Sequence, residues 1–199
     1  MTWTAITRYG LHPAPQALGF VHNLLNTEPA GRPRQPDLLA ELGAAQEWAD
    51  AALEDWAAHT GTPVPPVTLE DGDLEALRNF RADLHTVVAG HTADPADASA
   101  PAPVHRAAAA VELGSDGYVR LEARGTGWRA IASLTLIAIV HAQGAGTWQR
   151  LKACRNPRCQ AAFYDRSRNN SAVWHDVRVC GNPANLRAHR ARKRAGHQP

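Results

Sequence analysis

The amino-acid sequence predicts a mainly α fold of the α+β class. A helical N-terminal domain with one small β-hairpin (residues 1–149) precedes a small C-terminal module (residues 150–199) ending in a basic helix. Three observations predict it. Apolar residues recur at helical spacing in several segments before residue 145. A glycine-bracketed tetrapeptide, Gly114-Ser115-Asp116-Gly117, separates two short segments of extended character. All three cysteines lie between residues 154 and 180, in a stretch too short to build a core without a staple.

In chain order, Leu18, Val21, Leu24 and Leu25 mark a first amphipathic helix over Pro15 to Asn26, with Pro15 suited to a first turn. The proline-rich run from Glu28 to Pro36 ends it. Asp37 is placed to cap a short helical turn carrying Leu38, Leu39 and Leu42. Beyond Gly43, an alanine-rich segment with Trp48 and Trp56 reads as a second helix ending near Thr60-Gly61, followed by a stiff connector, Pro63-Val64-Pro65-Pro66. From Asp73, the residues Leu74, Leu77, Phe80, Arg81, Leu84 and Val88 form one stripe of a third helix. The Ala/Asp/Pro/Ser-rich stretch from Thr92 to Pro103 reads as a linker. Strands are expected over Ala108 to Leu113 and Tyr118 to Ala123. The most hydrophobic helix runs from Trp128 to Val140, and His141 after it reads as a core histidine.

The formal charge of +2 hides a sharp segregation. Residues 1–149 carry 9 Lys+Arg against 17 Asp+Glu, a net of −8, and residues 150–199 carry 12 against 2, a net of +10. An acidic body with a basic module implies that the module alone meets a polyanion. Met1 to Leu11 lacks the pattern of a secretory leader, and Ile131 to Val140 is too short to span a bilayer, so the expectation is a cytoplasmic chain with no membrane partner. An odd number of cysteines in such a compartment argues against a disulfide framework.

Cys154 and Cys159 are separated by four residues, Cys159 and His175 by fifteen, and His175 and Cys180 by four. Two short loops, each closed by two ligands, let four donors converge on a tetrahedral ion. Three thiolates and one imidazole suit zinc, and four protein ligands leave no place for an activated water. One structural zinc is therefore expected on Cys154, Cys159, His175 and Cys180, which makes the module a zinc finger. Phe163 and Trp174 are expected to plug the metal site, with Arg155 and Arg158 facing outward on the first loop. After Cys180-Gly181, Asn182-Pro183 reads as an N-cap and first turn. In the helix that follows, to about Ala195, Ala184, Ala188, Ala191 and Ala195 share one stripe and Arg187, Arg190 and Arg194 another, broadened by Arg192 and Lys193. Arg187, Arg190, Lys193, Arg194, Asn185, His189, Arg155 and Arg158 are the candidate DNA contacts, with Asn185 and His189 placed to reach base edges.

Cys154 to Arg194 resembles the CGNR-type zinc finger, named for a Cys-Gly-Asn-Arg signature and found at the C-terminus of bacterial transcriptional regulators. The first cysteine pair, Phe163, Asp165 and Ser167 of a Phe-x-Asp-x-Ser run, Trp174, Cys180-Gly181-Asn182 and the basic helix carry the resemblance. The preceding part is similar to the mostly helical stress-induced transcription-regulator (ABATE-like) domain that accompanies this finger, through Phe20-Val21-His22-Asn23-Leu24-Leu25-Asn26-Thr27 and Leu77-Arg78-Asn79-Phe80-Arg81. His175 stands where the family has a cysteine, Pro183 where it has the signature arginine, and Ala172-Val173 where it has paired arginines. The ligand set changes to Cys3His and several cations are lost.

The expected function is that of a DNA-binding transcriptional regulator, not an enzyme: double-stranded DNA on the finger, sensing or dimerisation in the acidic domain, with room for a small-molecule effector and a homodimer. The alternative is a small-molecule-binding protein or enzyme whose zinc module serves assembly or RNA binding. His22, Arg81, Asp83, His85 and His141 supply polar groups for that alternative but form no nucleophile–base pair in the sequence.

Overall fold

A computed structural model of the chain describes residues 3–31, 34–92, 103–183, 186 and 193. The interior of the expected linker from Thr92 to Pro103 lies outside the described residues. So does nearly all of the expected basic helix, with its alanine stripe and with Asn185, Arg187, His189, Arg190, Arg192 and Arg194. Among the described residues the order is α1 (Thr4–Thr7), α2 (Leu18–Leu25), α3 (Leu42–Thr60), α4 (Asp71–Gly90), β1 (Ala109–Leu113), β2 (Val119–Ala123), α5 (Trp128–Gly144), β3 (Leu151–Ala153) and β4 (Ala162–Tyr164). The fold is mainly α, with two separate two-stranded antiparallel sheets.

Helix α2 is the hub. All eight of its residues are buried, including His22 and Asn23, and α1, α3, α4, α5 and β4 pack around it. It is shorter than the expected span from Pro15 because Gln16 adopts a left-handed φ of 51°, which a right-handed helix cannot include. Helix α3 begins at Leu42, so Gly43 lies within its first turn rather than ahead of it, and it ends at Gly61 with φ 69°. Asp37 starts no helix. It forms a turn in which the Leu39 N–H donates to its carboxylate at 2.8 Å, and it holds Arg81. Phe20 lies among Trp3, Trp48 and Trp56, with its ring centroid 5.5 Å from that of Trp56 in an edge-on arrangement. Burying each such side chain stabilises the fold by about 1.5–3 kcal/mol or more.

Helix α4 starts at Asp71, ahead of the expected Asp73. Asp73 is the third helical residue, and its carboxylate accepts from the Glu70 N–H at 3.0 Å, satisfying a donor that the helix leaves open. Leu74, Leu77, Phe80, Leu84 and Val88 are buried along one face, matching the periodicity. Arg81, on the same face, makes paired bonds to the two Asp37 oxygens at 2.7 Å each and a third to Thr27 Oγ1 at 2.9 Å. Arg78 donates to the Leu39 carbonyl at 2.8 Å. Both arginines thus fasten α4 to the segment between α2 and α3.

The β1–β2 hairpin runs in register from Ala109 opposite Ala123 to Leu113 opposite Val119. Its base rests on α5, while Val111 at its middle and Leu113 and Val119 beside the turn are exposed. Helix α5 is buried on most of its circumference. Val140 and His141 are exposed, so His141 is not the core histidine its apolar neighbours imply. The main core continues beyond α5, since Trp148, Leu151, Ala153 and Ala162 belong to the same buried cluster as the helices.

Candidate metal centre

Strands β3 and β4 pair antiparallel, Leu151 with Tyr164, Lys152 with Phe163 and Ala153 with Ala162. They are three residues each and carry no period that a sequence reading could detect. The loop between them is the first ligand loop. The Asn156 carbonyl accepts from the Cys159 and Gln160 N–H groups at 2.8 and 3.2 Å, and its side-chain oxygen accepts from the Arg158 N–H at 3.2 Å. Gln160 closes the turn with φ 59°. Asn156 is the turn residue its sequence position implies, since asparagine readily bonds to backbone two residues on.

The second ligand loop is a wide turn over Val177–Gly181, in which the Asp176 carbonyl accepts from both the Cys180 and Gly181 N–H groups, at 3.0 and 3.3 Å. Asp176 is its cap, extended at φ −145° and accepting from the Val179 N–H at 2.8 Å. The expected cap, Asn182, instead has helical torsions of −58° and −47°, because the chain passes from this turn into helical backbone without an intervening extended residue. Glycine at 181 answers a close approach. A Cβ there would stand 2.9 Å from Cδ1 of Trp174 and 3.3 Å from a Val177 methyl.

The two loops bring Cys154, Cys159, His175 and Cys180 together, with one sulfur or ring nitrogen from each lying within 4.8 Å of all the others. The His175 Nδ1 is 3.3 Å from the Cys159 sulfur. A tetrahedral ion with Zn–S bonds of about 2.3 Å requires sulfurs about 3.8 Å apart, so the cluster is close to the right size before any metal draws it in. The cysteines are buried, at 4, 2 and 0 % exposure, and His175 is partly exposed. The three thiols do not share one direction, and burial pushes Cys180 up. A hydrogen bond from the Cys154 thiol, opposed by burial and helped by His175, holds Cys159 far below the ordinary thiol range, while that same hydrogen bond and burial push Cys154 up. Three soft donors and an imidazole fit zinc, which would lock both loops and supply no open coordination position. Phe163 and Trp174 pack beside the cysteines as expected, and Arg155 and Arg158 are exposed on the first loop. Leu186 is half exposed and Lys193 is exposed.

Several residues that complete the centre escaped the sequence reading. Lys152, counted there only as a cation of the basic half, is 2 % exposed. Its ammonium donates to Asp165 at 2.8 Å and to the carbonyls of Asn170 and Ala172 at 2.7 and 3.1 Å. Burial opposes ionisation of Asp165, but Lys152 together with the Ser167 and Ala172 N–H groups outweighs it and holds the carboxyl at about 2. This fully bonded pair fixes the 165–172 loop that leads into Trp174-His175, and it gives the Phe-x-Asp-x-Ser run a physical role. On the other side, Tyr9, Leu11 and Ala30 from the N-terminal part pack on the cysteines, and the Gly31 N–H donates to the Cys159 carbonyl at 3.2 Å.

The Phe20–Thr27 run also reaches the module. Asn26 treats Ala162 as a neighbouring strand would. Its Oδ1 accepts from the Ala162 N–H at 3.2 Å, and its Nδ2 donates to the Ala162 carbonyl at 3.0 Å. The His22 Nδ1 accepts from the Ala14 N–H at 3.2 Å, so Nε2 carries the proton and donates to the same Ala162 carbonyl at 3.0 Å. Burial holds His22 neutral, its pKa lowered from 6.5 to about 4. His85 and His91 of the α4 region bond to the Gln160 and Leu151 carbonyls at 2.8 and 2.7 Å. Of the polar groups considered for a catalytic alternative, His22, His85 and Arg81 are thus engaged with backbone or with Asp37, and Asp83 pairs with His105 at 2.9 Å.

No helix among the described residues is long and apolar enough to cross a membrane. A search of curated proteins found no match to the chain. A comparison with family models matches residues 150–193 to the CGNR zinc finger, and the four converging ligands lie within that span, so this part of the chain is a zinc-binding module.

Proposed function

We propose that the chain is a DNA-binding transcriptional regulator of the reducing cytoplasm. The zinc module seats a basic helix on double-stranded DNA, and the acidic helical part, with its resemblance to the ABATE-like domain, senses a signal or pairs with a second copy. The observation that carries this reading is the coincidence of the metal-built module with the segment of net charge +10, on a chain whose remainder carries −8. Such a module meets phosphates while the acidic body is repelled from them. The exposed Arg155, Arg158 and Lys193 add to the positive charge of the module, and Arg187, Arg190 and Arg194 supply the arginine stripe, with Asn185 and His189 assigned to base edges. The metal serves structure, because four protein donors complete its shell; the chain is no metalloenzyme on this reading.

The test is selection of bound fragments from random duplex DNA by the zinc-loaded full chain, followed by titration of the selected site at several salt concentrations. Affinity should fall steeply with salt, and Arg187→Ala or Arg190→Ala should each lower the slope by about one. A palindromic winner would indicate a dimer. Absence of any salt-sensitive affinity for duplex DNA would overturn the proposal, and preference for single-stranded RNA would favour the alternative use of the module.

A further inference from the structure

An open cleft of about 340 Å³ lies between the residues leading into α2, the C-terminal end of α3, strand β2 and α5. Its volume is at the lower end of the range of small-molecule sites. Trp56, Leu121 and Ile137 contribute apolar wall, and Trp56, 5 % exposed, has an indole N–H with no acceptor among the described residues. Among the described residues, the ionisable groups that line it are His59, Arg120 and His141, and no carboxylate does. This is the reverse of its surroundings, since residues 1–149 hold 17 acidic side chains against 9 Lys and Arg. His59 is pre-oriented. Its Nδ1 bonds to the Asp55 carbonyl at 2.7 Å, so Nδ1 carries a proton and Nε2 is left for another partner, while its ring lies against Trp3 at a centroid distance of 5.1 Å. Arg120 pairs with Asp116 at the exposed hairpin turn, where such a pair is worth little and can exchange for another carboxylate.

We infer that this cleft binds a small organic anion with an aromatic body, of the aryl-carboxylate class: the ring against Trp56, Leu121 and Ile137, the carboxylate toward His59, His141 and Arg120. The site gives the proposed regulator its sensing half and rests on that reading only for its purpose. Occupancy itself needs no DNA. The route to the zinc module is short, because α2, whose Leu18 lines the cleft, carries His22 one turn further on and is followed by Asn26, and both residues grip Ala162 of β4.

The test is calorimetric titration of the zinc-loaded full chain with indole-3-acetate, its neutral amide and tryptamine, in the absence of DNA. Expected are one carboxylate site per chain, at least about tenfold weaker binding of the amide, and no binding of the amine. His59→Gln and His141→Gln replace exposed side chains and should each weaken the acid about tenfold or more, with zinc content unchanged. Failure of the acid to bind, equal affinity for acid and amide, or unaltered affinity in both variants would overturn the site. A DNA titration with and without indole-3-acetate separates the two proposals: a chain that binds the acid but binds no duplex DNA in either titration sinks only the regulator.

Discussion

His22 is the most testable link between the helical part and the zinc module. It is completely buried, its two ring nitrogens are used by Ala14 and Ala162, and burial lowers its pKa from 6.5 to about 4. The folded protein therefore keeps this ring neutral while the unfolded chain takes up a proton, and between pH 6.5 and 4 the unfolded state binds more protons. The stability His22 confers is present above pH 6.5 and is lost as pH falls toward 4. Linkage gives a loss of about 2 kcal/mol between pH 7 and 5 and about 3 kcal/mol by pH 4 from this one group. Replacing it by glutamine, which keeps one acceptor and one donor but does not titrate, should cost about 1–3 kcal/mol at pH 7 and remove the pH-dependent part. Urea unfolding of both zinc-loaded proteins at pH 7, 6 and 5 reads this out as a difference. Protonation of the zinc ligands is common to the two and cancels, so the gap between the curves should shrink by about 2 kcal/mol from pH 7 to pH 5. Parallel curves would show that His22 is not held neutral against Ala162.

Breaking the buried Lys152–Asp165 pair by Lys152→Met should destabilise the chain by about 3–5 kcal/mol, and adding Asp165→Leu should recover part of that loss, measured by denaturant unfolding; a loss below about 1 kcal/mol would contradict the buried geometry. Gly181→Ala should displace Trp174 and weaken zinc about ten- to a hundredfold in a chelator competition, because the indole beside His175 must move; unchanged affinity would refute the close approach. Arg81→Ala leaves the Asp37 carboxylate without its paired bonds and should cost about 2–4 kcal/mol in unfolding free energy, whereas an effect like that of a surface substitution would contradict its buried position.

Periodicity made α4 and α5 legible, since each presents an apolar face long enough to repeat. The hairpin came within one residue of its observed bounds because glycines and a polar turn punctuate it. The four metal ligands were legible from spacing alone, as loop closure in a tetrahedral site demands short separations. Strands β3 and β4 were not, since three residues show no alternation that stands out from chance. Caps shifted for a similar reason. Glu70 and Asp176 compete with Asp73 and Asn182 as polar residues near a turn, and only torsions decide between them. The contacts of His22 and Asn26 with Ala162 span about 140 residues of sequence, and no local pattern encodes them. Charge counting likewise registers Lys152 only as one cation of the basic half, because burial of Lys152 and its partner Asp165 is a property of the packed loop.

The Cys3His centre is tested most directly by X-ray absorption at the zinc edge of the purified, zinc-loaded chain. One zinc per chain is expected, with three sulfurs at about 2.3 Å and one nitrogen at about 2.0 Å, the nitrogen being lost in His175→Ala. A first shell without sulfur, or a shell unchanged by His175→Ala, would contradict the assignment of Cys154, Cys159, His175 and Cys180 as the four ligands.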